Sequence, residues 1–203
     1  MKTKQNEYVD LGLPSRLKWA KCDVGAEKET DYGYHFMWGS TTPNTAYECT
    51  WVNTPFNSGA SNYDEEYFTT HKSEWLDDNG NLKPEFDAAR AIMGGDWRMP
   101  TKAELQELID YTTNEWFTNY NGTGVNGMKF TSKTDESKYI FIPAADFRSG
   151  SSFYGREDYN GDIWSSSLFT SRPKNAWYLN FFSDDFYVDY ADRNYGLMVR
   201  GVL

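Results

Sequence analysis

The sequence predicts an α+β fold class, with two helices, short antiparallel sheets and long irregular loops. Three observations predict it. Thr101-Lys102-Ala103-Glu104 is a capping box, and it opens a run in which Leu105, Leu108 and Ile109 share one helix face. Near the C-terminus, Trp177, Leu179 and Phe181 alternate with Tyr178, Asn180 and Phe182, the period of a half-buried strand. Aromatic residues make up 18% of the chain although its mean hydropathy is −0.76. A core can therefore be built from a few large rings, each burying roughly 150–250 Å². Disordered chains are poor in such residues.

From the N-terminus, residues 8–24 read as two short strands broken at Gly12, Pro14 and Gly25, with Leu17, Trp19 and Cys22 on one face. Residues 32–38 suggest another strand. Residues 41–83 hold no period and read as an irregular insertion pinned by isolated aromatics: Tyr47, Trp51, Phe56, Tyr63, Phe68 and Trp75. Asp78-Asn79-Gly80-Asn81 is a turn signal within it. Residues 84–93 read as a helix, with Pro84 in its first turn and Gly94-Gly95 ending it. Asn126-Gly127 suggests a type I′ hairpin turn. Residues 129–133 and 139–143 pair as strands around Asp135-Glu136-Ser137. A Gly-, Ser- and Tyr-rich loop covers 149–162, and a strand follows at 163–169. The remainder reads as a three-stranded meander with strands at 177–182, 186–190 and 197–202. The expected organisation is a single domain over 1–203, with the insertion at about 41–83 and the meander at about 175–203.

The formal net charge is −10. Binding nucleic acid needs a basic footprint to displace counterions, so no nucleic-acid partner is expected, and an anionic membrane surface is disfavoured. No apolar run approaches a membrane span, so direct membrane insertion is not expected. Met1 to Glu7 contain no apolar core of a signal peptide. The two cysteines, Cys22 and Cys49, fit a disulfide or two buried thiols equally well. With two histidines and no CxxC, a zinc site is not expected, and no cofactor or metal is assigned. Asp184, Asp185, Asp189 and Asp192, or Asp77, Asp78, Asn79 and Asn81, could offer oxygens to calcium, but each set is explained by a turn. Glu157, Asp158 and Asp162 could supply a glycosidase pair, although nothing marks a cleft. His35, between Tyr34 and Phe36, reads as a packed strand residue. No nucleophile–base order, P-loop or dinucleotide motif is present, so no catalytic residue is assigned.

Tyr8-Val9-Asp10-Leu11-Gly12-Leu13-Pro14-Ser15, Phe36-Met37-Trp38-Gly39, Gly95-Asp96-Trp97-Arg98-Met99-Pro100-Thr101, Gly127-Met128-Lys129-Phe130, Ile142-Pro143-Ala144-Ala145 and Trp164-Ser165-Ser166-Ser167 follow one another in order. Together with Ala176-Trp177 and Val199-Arg200, they resemble the Fibrobacter succinogenes major paralogous domain family, common in gut Bacteroidetes. The resemblance implies a C-type-lectin-like fold. It also extends to the variable proteins of diversity-generating retroelements, whose exposed C-terminal positions are randomised. It thereby implies a non-catalytic binding module displayed on a cell surface or phage particle, with a protein or glycan as ligand. The implied ligand-binding residues are Tyr178, Asn180, Phe182, Asp184, Asp185, Phe186, Tyr187, Asp189, Tyr190, Asp192, Asn194 and Tyr195. Trp177, Leu179, Phe181, Val188 and Val199 are the implied fixed core. Such a mixture suits recognition, because tyrosines give rigid contact area and Asn and Asp give adaptable hydrogen bonds. The triplets of calcium-dependent sugar binding are absent. A fimbrial or cell-surface structural module and a glycan-processing enzyme are the alternative readings.

Overall fold

The computed structural model describes residues 7–145, 147–150, 152–154 and 159–203. Among the described residues it is an α+β structure of three short α-helices and several small antiparallel sheets. Strands β1 (Tyr8–Asp10) and β2 (Lys18–Ala20) pair near the N-terminus. The chain's end returns beside them: Ala20 N–H donates to Gly201 O at 2.8 Å, and Lys18 and Leu203 exchange backbone bonds at 3.0 and 2.9 Å. Leu197 to Val202 is thus not a third meander strand. It bridges to Phe36, Ile163, Trp19 and Arg98 instead. Apart from Arg200 its side chains are apolar, and all of them are buried, which suits a central position better than an edge. Residues 32–38 contribute a single bridge, Phe36 to Leu197, and not a strand.

Within the insertion, α1 (Glu65–Trp75) is a helix that the sequence pattern did not disclose. Asp64 caps it, accepting from Tyr67 N–H at 2.9 Å. Only Phe68 and Trp75 are buried on it, so no apolar stripe marks its period. The ring neighbours of Trp75 are Phe56, Tyr67, Phe68 and His71, so these aromatics form a cluster and are not isolated pins. Tyr47 alone among the predicted pins is freely exposed, at 77%.

The second predicted helix is split. A 3-10 turn spans Pro84–Phe86, and α2 is Ala88–Met93. Asp87 sits between them with an extended backbone. Its carboxylate accepts from Arg90 N–H at 2.9 Å and from Met99 N–H at 2.8 Å, which joins the cap to the next segment. Helix α3 spans Lys102–Tyr111 and has the expected capping box. Arg98 grips Glu104 with two bonds of 2.7 and 2.6 Å, and Thr101 N–H donates to the same carboxylate at 2.8 Å. Burial raises the Glu104 pKa, but Arg98 and the Thr101 donors outweigh it and hold the group below the usual glutamate value. The stability it contributes is present above the unfolded pKa and is lost as pH falls through the folded one. Glu104→Gln is expected to cost about 1–2 kcal/mol at neutral pH. It should also flatten the acid side of a melting-temperature profile; an unchanged acid limb would contradict this.

Strand β3 (Thr112–Phe117) follows α3 directly and pairs with β4 (Gly127–Ser132), which pairs with β5 (Tyr139–Pro143). The predicted pairing around Asp135 is present. Gly127 is a strand residue, however, and not part of a hairpin turn. A Cβ there would lie 2.3 Å from Ile142 O, so glycine serves close strand approach. Strands β6 (Phe147–Ser149) and β7 (Ser152–Tyr154) form a small hairpin where a loop was expected.

The C-terminal sheet has the order β10-β9-β8. Its strands are β8 (Asn160–Leu168), β9 (Asn175–Phe182) and β10 (Phe186–Asp192). Two apolar clusters hold the fold. One joins Trp38, Phe56, Phe68, Trp75, Trp97 and Trp164; the other joins Leu11, Trp19, Leu105, Leu108, Phe130, Ile142, Leu179 and Phe181. Each fully buried aliphatic contributes about 1.5–3 kcal/mol relative to exposure. Cys22 and Cys49 are free and buried. Burial pushes the Cys49 thiol up to about 11.

Candidate functional site

The site is built on β8, β9 and β10. Opposed residues share a face, so register assigns each side chain. Gly161, Ile163, Leu179, Phe181, Phe186 and Val188 share the back face. There Leu179 and Phe181 are wholly buried against the cluster that contains Leu105 and Leu108 of α3. Gly161 admits the Phe181 ring: a Cβ would lie 1.9 Å from that ring, so no other residue fits. This close contact braces β8 beside the site.

The front face carries Asn160, Asp162 and Trp164 from β8, Tyr178, Asn180 and Phe182 from β9, and Tyr187 and Asp189 from β10. Its Trp164 end is closed, because Trp164 Nε1–H donates to Phe36 O at 2.8 Å and Trp38 Nε1–H donates to Ser165 O at 2.9 Å. Its other end is hollow. A cavity of about 290 Å³ is lined by Asp162, Tyr178, Asn180, Phe182, Tyr187 and, from outside the sheet, Tyr195 and Phe147. The Phe147 and Tyr195 rings stack at 5.1 Å. At the base, Asp162 is 2% exposed. Asn160 and Asn180 each donate a side-chain N–H to it, at 2.7 and 2.5 Å. Burial raises the Tyr178 phenol pKa, and the Asp162 and Asp189 carboxylates raise it further. The Tyr187 phenol is raised by burial, then by Asp189, Asp185 and Asp162. Both phenols are therefore neutral donors at physiological pH, in a negative field.

Of the twelve residues the sequence nominated, Tyr178, Asn180, Phe182, Tyr187 and Tyr195 line this hollow, and Asp189 lies beside Tyr178. Asp184 and Asp185 are exposed in the β9–β10 turn, where Asp185 accepts from Phe186 N–H at 2.9 Å. Five of the twelve do not stand free on the front face. Asn180 is buried and is spent on Asp162, so it shapes the base and does not point outward. Asn194 is buried too, because the chain turns inward after β10 to deliver Leu197 to the core. Phe186 and Tyr190 lie on the opposite face. Phe186 packs against the core, while Tyr190 stacks on Phe169 at 4.2 Å. Asp192 is engaged locally, by Asn175 at 2.7 Å and Lys174 at 3.2 Å. Among the expected core residues, Leu179, Phe181 and Val199 are fully buried. Trp177 and Val188 are only partly so, and Lys102 Nζ covers the Trp177 ring at 3.6 Å.

Asn160 and Phe147 were missed. Asn160-Gly161-Asp162 carried a signal, since residues two apart share a strand face, but it was hidden by starting the strand at 163. Phe147 is distant in sequence and had none. Glu157 and Asp158 lie outside the described residues. Among the described residues, no group of three His, Cys, Asp or Glu is placed to hold a metal ion. No helix among them is long and apolar enough to cross a membrane. No family model matches the chain, and no curated protein or solved structure matches it either. The class that fold and site define is an α+β protein with an aromatic, carboxylate-floored hollow on one sheet face.

Proposed function

We propose that this chain is a non-catalytic ligand-binding domain of C-type-lectin-like architecture. In this reading it is a variable protein of the diversity-generating-retroelement kind, displayed on a cell surface or phage particle, that recognises a protein or a glycan. One observation carries the reading. An exposed ring stands on a buried framework: Tyr187 is 39% exposed, and Leu179 and Phe181, on the other face of the neighbouring strand β9, are 0% exposed. Rigid support with adaptable polar and aromatic groups is what a recognition surface needs.

Tyr187→Ser is expected to leave the melting temperature within about 3 °C of the parent, as for most surface substitutions. Phe182→Ser, at a half-buried position, should cost somewhat more. Both should release a ligand that the immobilised parent protein captures from a panel of glycans and surface proteins. A loss of more than about 10 °C with Tyr187→Ser would instead make this face a packing surface of a structural module. Hydrolysis of panel glycans would favour an enzyme.

A further inference from the structure

We infer that the outer edge of β10 takes up an extended segment of a partner protein as an added strand, and that this segment carries lysine or arginine at alternate positions. The inference rests on the binding reading above and narrows its ligand from a protein or glycan to an extended, basic stretch of protein. β10 ends its sheet, with β9 on one side only. Register shows which of its backbone groups are spent. Phe182 N–H donates to Asp185 O at 2.7 Å, and Arg193 N–H donates to Lys174 O at 2.9 Å. Both pairs continue the register of β10 on β9. Bonded pairs alternate along an antiparallel ladder, so Tyr187, Asp189 and Ala191 bond to β9, while Phe186, Val188, Tyr190 and Asp192 aim their backbone groups outward. Two of those groups are used locally: Phe186 N–H donates to the Asp185 carboxylate and Asp192 O accepts from Tyr195 N–H, both at 2.9 Å. The N–H and C=O of Val188 and Tyr190, the C=O of Phe186 and the N–H of Asp192 take no partner among the described residues. They form one row along about 20 Å of edge. Such edges are ordinarily blunted by lysine, proline, a bulge or short length. β10 has seven residues, no lysine or proline, and an unbroken register with β9. Its aspartates select the partner. Asp184 and Asp185 are exposed in the turn, and Asp189 is half-buried on the front face. Among the described residues no lysine or arginine pairs with these three, whereas Asp192 is held by Lys174. A second copy would bring an equally acidic edge and a net charge of −10 against this one. A basic residue opposite Asp189 makes a favourable cross-strand pair instead. Its two neighbours, facing the other way, lie beside Phe186, Val188 and Tyr190 and favour apolar side chains. Main-chain bonds then give affinity and alternate side chains give specificity.

Hydrogen exchange of the full chain, read by nuclear magnetic resonance, tests this. The probe is an acetylated and amidated heptapeptide of alternating valine and lysine, and the same peptide with glutamate in place of lysine is the charge control. The expected result is saturable binding that slows exchange of the Val188 and Tyr190 amides by about tenfold or more. Affinity should be at least about tenfold weaker for the glutamate peptide. Two further peptides leave the protein unaltered, one N-methylated at every valine and the other at every lysine. Only one alternate set of peptide amides can face β10, so one of these peptides should lose the protection and the other keep it. Asp189→Lys should reverse the preference toward the glutamate peptide. No slowing at Val188 and Tyr190, equal behaviour of the two N-methylated peptides, or equal binding of the glutamate peptide would overturn the inference. Slowed exchange that follows protein concentration without peptide, with a dimer in sedimentation, would make a second copy the occupant and overturn the basic partner. A glycan or protein captured through Tyr187 with exchange at both amides unchanged would overturn it while leaving the binding function standing.

Discussion

Arg193→Ala is expected to destabilise the protein by about 3–5 kcal/mol, measured by chemical denaturation, with the insertion the first part to become protease-sensitive. Arg193 is 0% exposed. Its guanidinium lies 4.2 Å from the Phe68 ring centre, and 5.4 to 5.9 Å from those of Tyr63, Trp38 and Trp51. It donates to Pro173 O at 2.8 Å and Pro55 O at 3.3 Å. Burial lowers its pKa to about 10, so it stays charged at neutral pH. One side chain thereby ties residues 51–68 to the segment that follows β10. Alanine leaves two carbonyls unpaired and a void among the rings, and each term alone costs kilocalories. Arg193→Met fills the void and removes the buried charge, so it should recover about half of the loss. Equal melting of parent and alanine variant would show that the insertion is held by its rings alone.

Arg200→Ala should be about as damaging, roughly 3–5 kcal/mol, through a different cause. Arg200 and Asp23 are both fully buried and meet at 2.6 Å. Arg200 also donates to Ala20 O at 3.0 Å and to Phe141 O at 2.9 Å. The pair locks the returning C-terminus to the N-terminal strands and to β5. Burial pushes the Asp23 pKa up and Arg200 pulls it down. Burial is the larger effect, so the folded pKa already stands above the unfolded one, and without Arg200 it rises further. The penalty of the stranded charge is then complete above the folded pKa and vanishes below the unfolded pKa. The gap in stability between parent and Arg200→Ala should therefore narrow as pH falls. Asp23→Leu in the Arg200→Met background should restore much of the stability, because apolar replacements avoid both desolvation costs. A pH-independent gap would indicate lost packing in place of a stranded carboxylate.

These two arginines also show where sequence reading stops. As residues in a list, Arg193 and Arg200 look like surface charges of an acidic chain. Their burial depends on partners far away along the chain, and local patterning carries no trace of those. Helix α3 was legible because its cap, its carboxylate and its apolar stripe lie within ten residues. Strand β9 was legible because one buried face imposes strict alternation. Helix α1 was not, because two buried rings on an otherwise polar helix leave no period to read. The last segment, 197–202, was assigned to the wrong partner for a related reason. Alternation reveals that a strand exists, but pairing is chosen by where the chain ends meet.

Sequence by itself determined the α+β class, the capped helix, the alternation of β9 and the aromatic, acidic character of the C-terminal surface. All of these follow from interactions between residues close along the chain. Tertiary structure alone decided which face of the sheet is hollow, that Asn180 and Asn194 turn inward, and that Asn160 and Phe147 join the site. The physical reason is that burial and charge pairing are set by contacts between distant segments, and those exist only once the chain has closed on itself.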